Sequence, residues 1–201
     1  MTTRDVTLLF AMLGVVAEAG VALAVMVVIG GRWSRRLAGW RDSLLDLFGP
    51  TALQLALGVA LVATIGSLYL SEIANFPPCR LCWYQRIAMY PLVPVLAVAV
   101  WRRDAGVRFY AIPLALIGGL ISTYHVVLER FPTLESGVCE ATNPCTLIWV
   151  RRFGYLTIPT MAFSAFALIA VLLLAAGADE RAAASEAGTE SEDDTEELEA
   201  A

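Results

Sequence analysis

Five apolar runs dominate the chain: Val6–Gly30, Thr51–Ser71, Ile87–Trp101, Phe109–Leu128 and Phe153–Ala178. Glu18 is the only carboxylate within them, and His125, near the end of the fourth, is the only histidine of the chain. A helix of about 20 apolar residues is about 30 Å long, the thickness of a bilayer's hydrocarbon core. Helices are also the spans that satisfy every backbone polar group from within one segment. The runs therefore predict an all-α integral membrane protein. The third run is short, but Cys82, Trp83 and Tyr84 extend it toward the interface, where Trp and Tyr are favoured. Val6–Gly30 is longer than the 7–15 apolar residues of a signal peptide, roughly, and is expected to remain as a helix.

Composition agrees: 58% of the 201 residues are hydrophobic and 16% charged, against roughly 25% charged in an ordinary soluble domain. The net charge of −5 is a property of the end of the chain, since ten of the nineteen acids lie in 178–201. That segment, rich in Glu, Ala and Ser, is expected to be disordered and solvated. The remainder is mildly basic, with no basic stripe or motif of the kind that binds nucleic acid.

Arginine placement gives an orientation. Arg32, Arg35, Arg36, Arg41, Arg102, Arg103, Arg108 and Arg181 fall on one side, and Arg4, Arg80, Arg130, Arg151 and Arg152 on the other. The positive-inside rule puts the richer side in the cytoplasm. The N-terminus is then outside, with outer loops near 71–81 and 129–152. Between the first two spans, Trp33, Leu37, Trp40, Leu44 and Leu45 recur at helical spacing among arginines. The stretch reads either as an interfacial amphipathic helix or as an ordinary loop. Glu18 in mid-span is expected to be neutral and hydrogen-bonded, packing its helix on the others.

All four cysteines fall in the two outer loops, as Cys79-x-x-Cys82 and Cys139-x5-Cys145. Outside the cytoplasm, disulfides form and persist. Pro77 and Pro78 precede the first pair and an apolar run follows, so the pair sits at a helix N-terminus. Unpaired amides and the helix dipole there favour a thiolate. Arg86, one turn beyond Cys82, adds a fixed positive charge on the same face. Such a pair is suited to opening and closing rather than stapling. Two other readings fit the bare cysteines: a non-enzymatic scaffold with structural disulfides in both loops, or a four-Cys zinc site, for which the x5 spacing is unusual. Pro132, Gly137, Asn143 and Pro144 mark the second loop as turn-rich.

The block Cys79-Arg80-Leu81-Cys82-Trp83-Tyr84-Gln85-Arg86, followed by Met89-Tyr90-Pro91-Leu92, resembles the disulfide bond formation protein B family, DsbB, and most of all its BdbC branch. A second match holds Cys139, Cys145, Phe153-Gly154-Tyr155 and Thr157-Ile158-Pro159. The resemblance spans about 51–177. It divides the chain into an N-terminal helix with a cytoplasmic linker (1–50), a four-helix thiol-oxidase bundle (51–177) and the acidic tail (178–201).

The resemblance implies a quinone-dependent thiol oxidase. Such a protein reoxidises an extracytoplasmic thioredoxin-fold dithiol oxidase, DsbA-like, and passes the electrons to ubiquinone or menaquinone. It implies that the partner attacks the Cys139–Cys145 disulfide, with Cys139 as the target. A Cys79–Cys145 disulfide then joins the loops, and electrons reach Cys82 beside the quinone. Arg86 matches the family's quinone-interacting arginine, and His125 falls where the family has a quinone-linked histidine. Read alone, His125 is equally an interfacial histidine bonded to backbone or water. A vitamin K epoxide reductase relative would carry the loop pair before the C-x-x-C, the reverse of the order here. This chain departs from the best-known members in its short second cysteine loop and in its extra N-terminal helix.

Overall fold

The computed structural model describes residues 2–135, 137–140 and 142–199, with backbone alone from 186. Its helices are α1 (Thr3–Gly30), α2 (Arg35–Phe48), α3 (Ala52–Leu68), α4 (Arg80–Met89), α5 (Leu92–Arg102), α6 (Arg108–Arg130) and α7 (Ile158–Glu199). Five segments are long and apolar enough to cross a membrane: Thr3–Gly30, Arg35–Ile73, Arg80–Arg102, Ala105–Arg130 and Ile158–Ser185. The protein is a membrane helical bundle: four spans together, with α1 as a fifth.

The helices begin and end for local reasons. Thr2 caps α1, and its side chain and that of Asp5 close a reciprocal capping box, satisfying amides that the first turn leaves free. The third span is two helices, because Pro91 has no N–H to continue α4 and the chain turns at Tyr90–Pro91 before α5. This span begins at Arg80 rather than at Ile87, so the C-x-x-C block lies on its first turn.

The fifth span also starts later than its apolar run. Phe153 and Gly154 take left-handed conformations (φ 48° and 80°) and turn a short hairpin, β1 (Arg151–Arg152) against β2 (Leu156–Thr157). Pro159, in the first turn of α7, suits a helix start.

Two expectations about polar segments resolve toward helix. The 31–50 linker contains α2, which buries no residue; Trp33, Trp40 and Leu47 stand exposed, as an interfacial helix requires. The segment expected to be disordered, 178–199, continues α7 as helix. Ala and Glu are strong helix formers, and extending an existing helix avoids the cost of nucleating one. Arg108 anchors the first turns of this extension through an ion pair to Glu180 at 2.6 Å.

The main core lies between α3, α5, α6 and α7, around Leu92, Leu96, Phe166, Ile169 and Leu173. In lipid the driving force is close packing, so small residues mark the contacts. A methyl group at Gly118 of α6 would overlap the Phe166 ring of α7. A second, smaller cluster sits at the other end of the bundle and contains sulfur: Cys79, Leu81, Leu128 and Cys145.

Candidate functional site

Pro77 and Pro78 deliver an extended chain to α4, and Cys79 is its N-cap (φ −72°, ψ 173°). The Cys79 sulfur accepts the backbone N–H of Cys82 at 3.3 Å, the place a serine or aspartate oxygen takes in an ordinary cap. Cys82 lies one turn on, and the two free thiol sulfurs are 2.8 Å apart. Cys79 is buried and Cys82 half-buried. The hydrogen bond from the Cys82 thiol is the strongest influence on Cys79. With help from His125 it outweighs burial and holds the Cys79 thiol well below the ordinary thiol range.

The other pair, Cys139–Cys145, is disulfide-bonded, with Cα atoms 5.8 Å apart. Cys145 is fully buried in the cluster that holds Cys79. His125, buried on α6, joins the two pairs. Its Nε2 lies 3.0 Å from the Cys145 carbonyl oxygen and 3.8 Å from the Cys79 sulfur. Its Nδ1 lies 3.0 Å from the amide nitrogen of Gln85. The Gln85 amide donates to Nδ1, so the proton is on Nε2 and points at the Cys145 carbonyl and the Cys79 sulfur. Two further ties hold the loops together: Asn143 donates to the Pro78 carbonyl at 3.1 Å, and Arg80 pairs with Glu140 at 2.9 Å.

On the other flank of α4, Cys82 lines an apolar cavity of about 510 Å³ together with Gln85, Arg86, Ser67 and Tyr90. The Arg86 side chain is buried. Its Nε donates to Ser67 Oγ at 3.0 Å and its terminal nitrogen to the Ser67 carbonyl at 2.9 Å. Tyr90 donates to the same Ser67 Oγ at 3.3 Å. The guanidinium also lies over the Trp83 ring at 5.1 Å. Among the described residues no carboxylate pairs with Arg86, so its charge is held by neutral acceptors and a ring face. A positive charge held this way, at the wall of an apolar cavity, favours a ligand whose oxygen becomes negative.

Of the residues singled out in the sequence, Cys79, Cys82, Cys145 and His125 meet in one cluster, and Cys139 joins it through its disulfide. Arg86 stands with Cys82 at the large cavity. His125 stands one hydrogen bond away from the large cavity, through Gln85. It does not line the large cavity; it lines a cleft of about 20 Å³ with Cys79, Cys82 and Glu129. Gln85, which bonds the histidine, lines the large cavity, whereas Cys79 does not.

Cys79, Cys82 and His125 offer three donor atoms within 4.8 Å, a set able to hold a metal. The four-cysteine set cannot form here, because Cys139 and Cys145 bond each other. Gln85 and Ser67 were not read from the sequence as site residues. Their partners lie 40 and 19 residues away, and neither spacing nor composition signals such pairing.

The family described as "Disulfide bond formation protein DsbB" matches residues 50–176. The "Disulfide bond formation protein C" of Bacillus subtilis (strain 168) is 46% identical over 117 residues, 57% of this chain and 84% of the relative. The "Probable disulfide formation protein C 2" of Bacillus anthracis is 44% identical over 115 residues, 57% of this chain and 82% of the relative. No solved structure matches the chain. With the matched segment running from the foot of α3 through the membrane part of α7, and both cysteine pairs inside it, the chain belongs to the DsbB family of disulfide bond formation proteins.

Proposed function

We propose that this membrane disulfide-formation protein is a thiol:quinone oxidoreductase, which reoxidises a thioredoxin-fold dithiol on the extracytoplasmic side and delivers the electrons to a membrane quinone. One observation carries the reading. The Cys79–Cys82 pair faces two ways, with Cys79 packed against the Cys139–Cys145 disulfide and Cys82 in the wall of the large apolar cavity beside Arg86.

The cycle balances through thiolate attack on disulfides. A thiolate of the reduced partner attacks Cys139 of the Cys139–Cys145 disulfide. The resulting mixed disulfide resolves to oxidised partner and two loop thiols. With Cys79–Cys82 oxidised, Cys145 attacks the Cys79 sulfur and releases Cys82 as thiolate. Cys139 then attacks Cys145, restores the loop disulfide and releases Cys79 as thiolate. The N-cap amide and His125 favour that departure, since both stabilise negative sulfur at Cys79. The Nε2–H bond to the Cys145 carbonyl holds the attacked and attacking residues together. Here His125 positions the exchange rather than the acceptor.

Reoxidation of Cys79 and Cys82 removes two electrons and two protons. A bound quinone, ubiquinone or menaquinone, supplies the two-electron acceptor. The cavity suits such a group, being mostly apolar, with Cys82, Gln85, Arg86, Ser67, Ser71 and Tyr90 as polar lining near the thiols and Gln54 farther along α3. Arg86, fixed by Ser67, offers its charge to the oxygen that becomes negative.

The test uses the purified full chain, a reduced thioredoxin-fold dithiol protein and a quinone. Quinone reduction and partner oxidation should proceed one to one and stop in Cys82→Ser. A folded sample that reduces no quinone would return the protein to the role of a scaffold with structural disulfides.

A further inference from the structure

α1 lies outside the segment that matches the family, yet it closes one side of the large cavity. Phe10, Leu13 and Val16 of α1 line it opposite Gly58 and Val62 of α3. Nothing in the thiol chemistry requires this helix. The cavity extends along the α1–α3 seam well past the cysteines. From Ser67, beside Arg86, down to Gly58 it follows α3 for roughly 14 Å at 1.5 Å per residue.

α1 is held in place by directional bonds. At its outer end Arg152 of the hairpin donates to Thr7 Oγ1 at 2.6 Å and to the Arg4 carbonyl at 3.3 Å. Further in, Glu18 accepts from Tyr155 at 2.7 Å and from Ser164 of α7 at 3.1 Å. Gly14 brings the helix close to Leu156 and Met161, where a side chain's first carbon would lie 3.3 Å from each. These ties fix α1 to α7 and the hairpin. Against α3 the contact is the Phe10 ring on Gly66, with the open seam below it.

We propose that α1 is the fifth wall of the acceptor site. With α3 it holds the polyprenyl tail of a long-chain quinone whose head lies at Cys82 and Arg86, and the protein selects quinones by their tails. The proposal rests on the quinone reading above. The cleft is continuous: most polar groups of the cavity gather at the Cys82–Arg86 end, and an apolar stretch leads away from them along α3 toward Gln54. A tail entering from lipid exchanges one apolar surrounding for another, so selection comes from shape rather than from hydrophobic gain. Filling the cleft therefore perturbs binding more than trimming it.

The direct test is photolabelling of the full chain in lipid nanodiscs, using a polyprenyl quinone with a diazirine in its tail. Label is expected within 10–17 of α1 and 54–66 of α3, and excess unlabelled polyprenyl quinone should compete it away. Label confined to other helices, or label that does not compete, would overturn the proposal. In turnover, Leu13→Trp should raise KM for a polyprenyl quinone relative to a tail-less quinone by tenfold or more. Val25→Trp, on the same helix but off the cavity, should leave that ratio where it is. If Leu13→Trp does not fold, the wild-type label pattern decides alone. A wild-type protein that reduces neither quinone defeats the acceptor reading itself. One that reduces both with equal KM, without label on α1, defeats only this inference.

Discussion

Arg86→Gln separates the two halves of the proposed cycle. The wild-type guanidinium is buried and unpaired by any described carboxylate. It is held by two hydrogen bonds to Ser67, at 3.0 and 2.9 Å, and by the Trp83 ring. Glutamine keeps a donor near Ser67 but removes the charge that faces the cavity. Losing one preorganised donor at a developing oxyanion costs roughly 10²–10³ in rate, or about 2.7–4 kcal/mol. Loss of a full charge in an apolar site belongs at the upper end of that range. Stopped-flow absorbance at the quinone band, with excess reduced partner, should show this slowing. A single turnover of pre-oxidised protein without quinone, followed by partner oxidation, should proceed within about threefold of wild type, because His125, Cys79 and the loop disulfide lie on the other flank of α4. Equal slowing of both steps would mean that Arg86 holds the helix rather than serving the acceptor. No slowing of either would remove it from the site.

Other measurements probe other parts of the structure. Because the Cys79 thiol is held low, the ultraviolet absorbance of its thiolate should persist from neutral pH down into the acid range, falling only as pH passes below its depressed value. His125→Phe should move that fall to higher pH, and an unmoved profile would deny His125 its influence. Gly118→Leu should lower the thermal stability of the detergent-solubilised protein by about 1–3 kcal/mol, since the side chain must displace the Phe166 ring. An impermeant maleimide applied to whole cells should miss a cysteine at Gly106 and reach one at Glu135; the reverse pattern would invert the proposed orientation.

How much of this was legible beforehand varies with the range of the interaction. Spans were readable because lipid forces each segment to satisfy its own backbone. The N-cap position of Cys79 was readable from Pro77 and Pro78. Pro91 could have signalled the break between α4 and α5, since proline stops a helix by local chemistry. The Arg151–Thr157 hairpin straddles the start of an apolar run, and its two-residue strands leave no periodicity. The helical course of 178–199 is masked by a composition rich in Glu, Ala and Ser that also suits a solvated tail, although Ala and Glu favour helix. Least legible were Gln85 with His125 and Ser67 with Arg86. Those pairings exist only once the helices are assembled, and no spacing rule reports them.

The tie between Asn143 and Pro78 bears on how a large partner reaches a short loop. One neutral hydrogen bond contributes about 0.5–1.5 kcal/mol, and the exposed Arg80–Glu140 pair beside it about 0.2–1. Together they latch the outer rim of the cysteine loop to the threshold of α4 by roughly 1–2 kcal/mol, beyond the hold that His125 and packing keep on Cys145. A latch that weak stands open for a few per cent of molecules or more at any moment. A protein partner of the kind proposed would then forfeit only about six- to thirtyfold in apparent affinity by waiting for that release. The loop can rest shut over its buried sulfur between visits and still be met without delay.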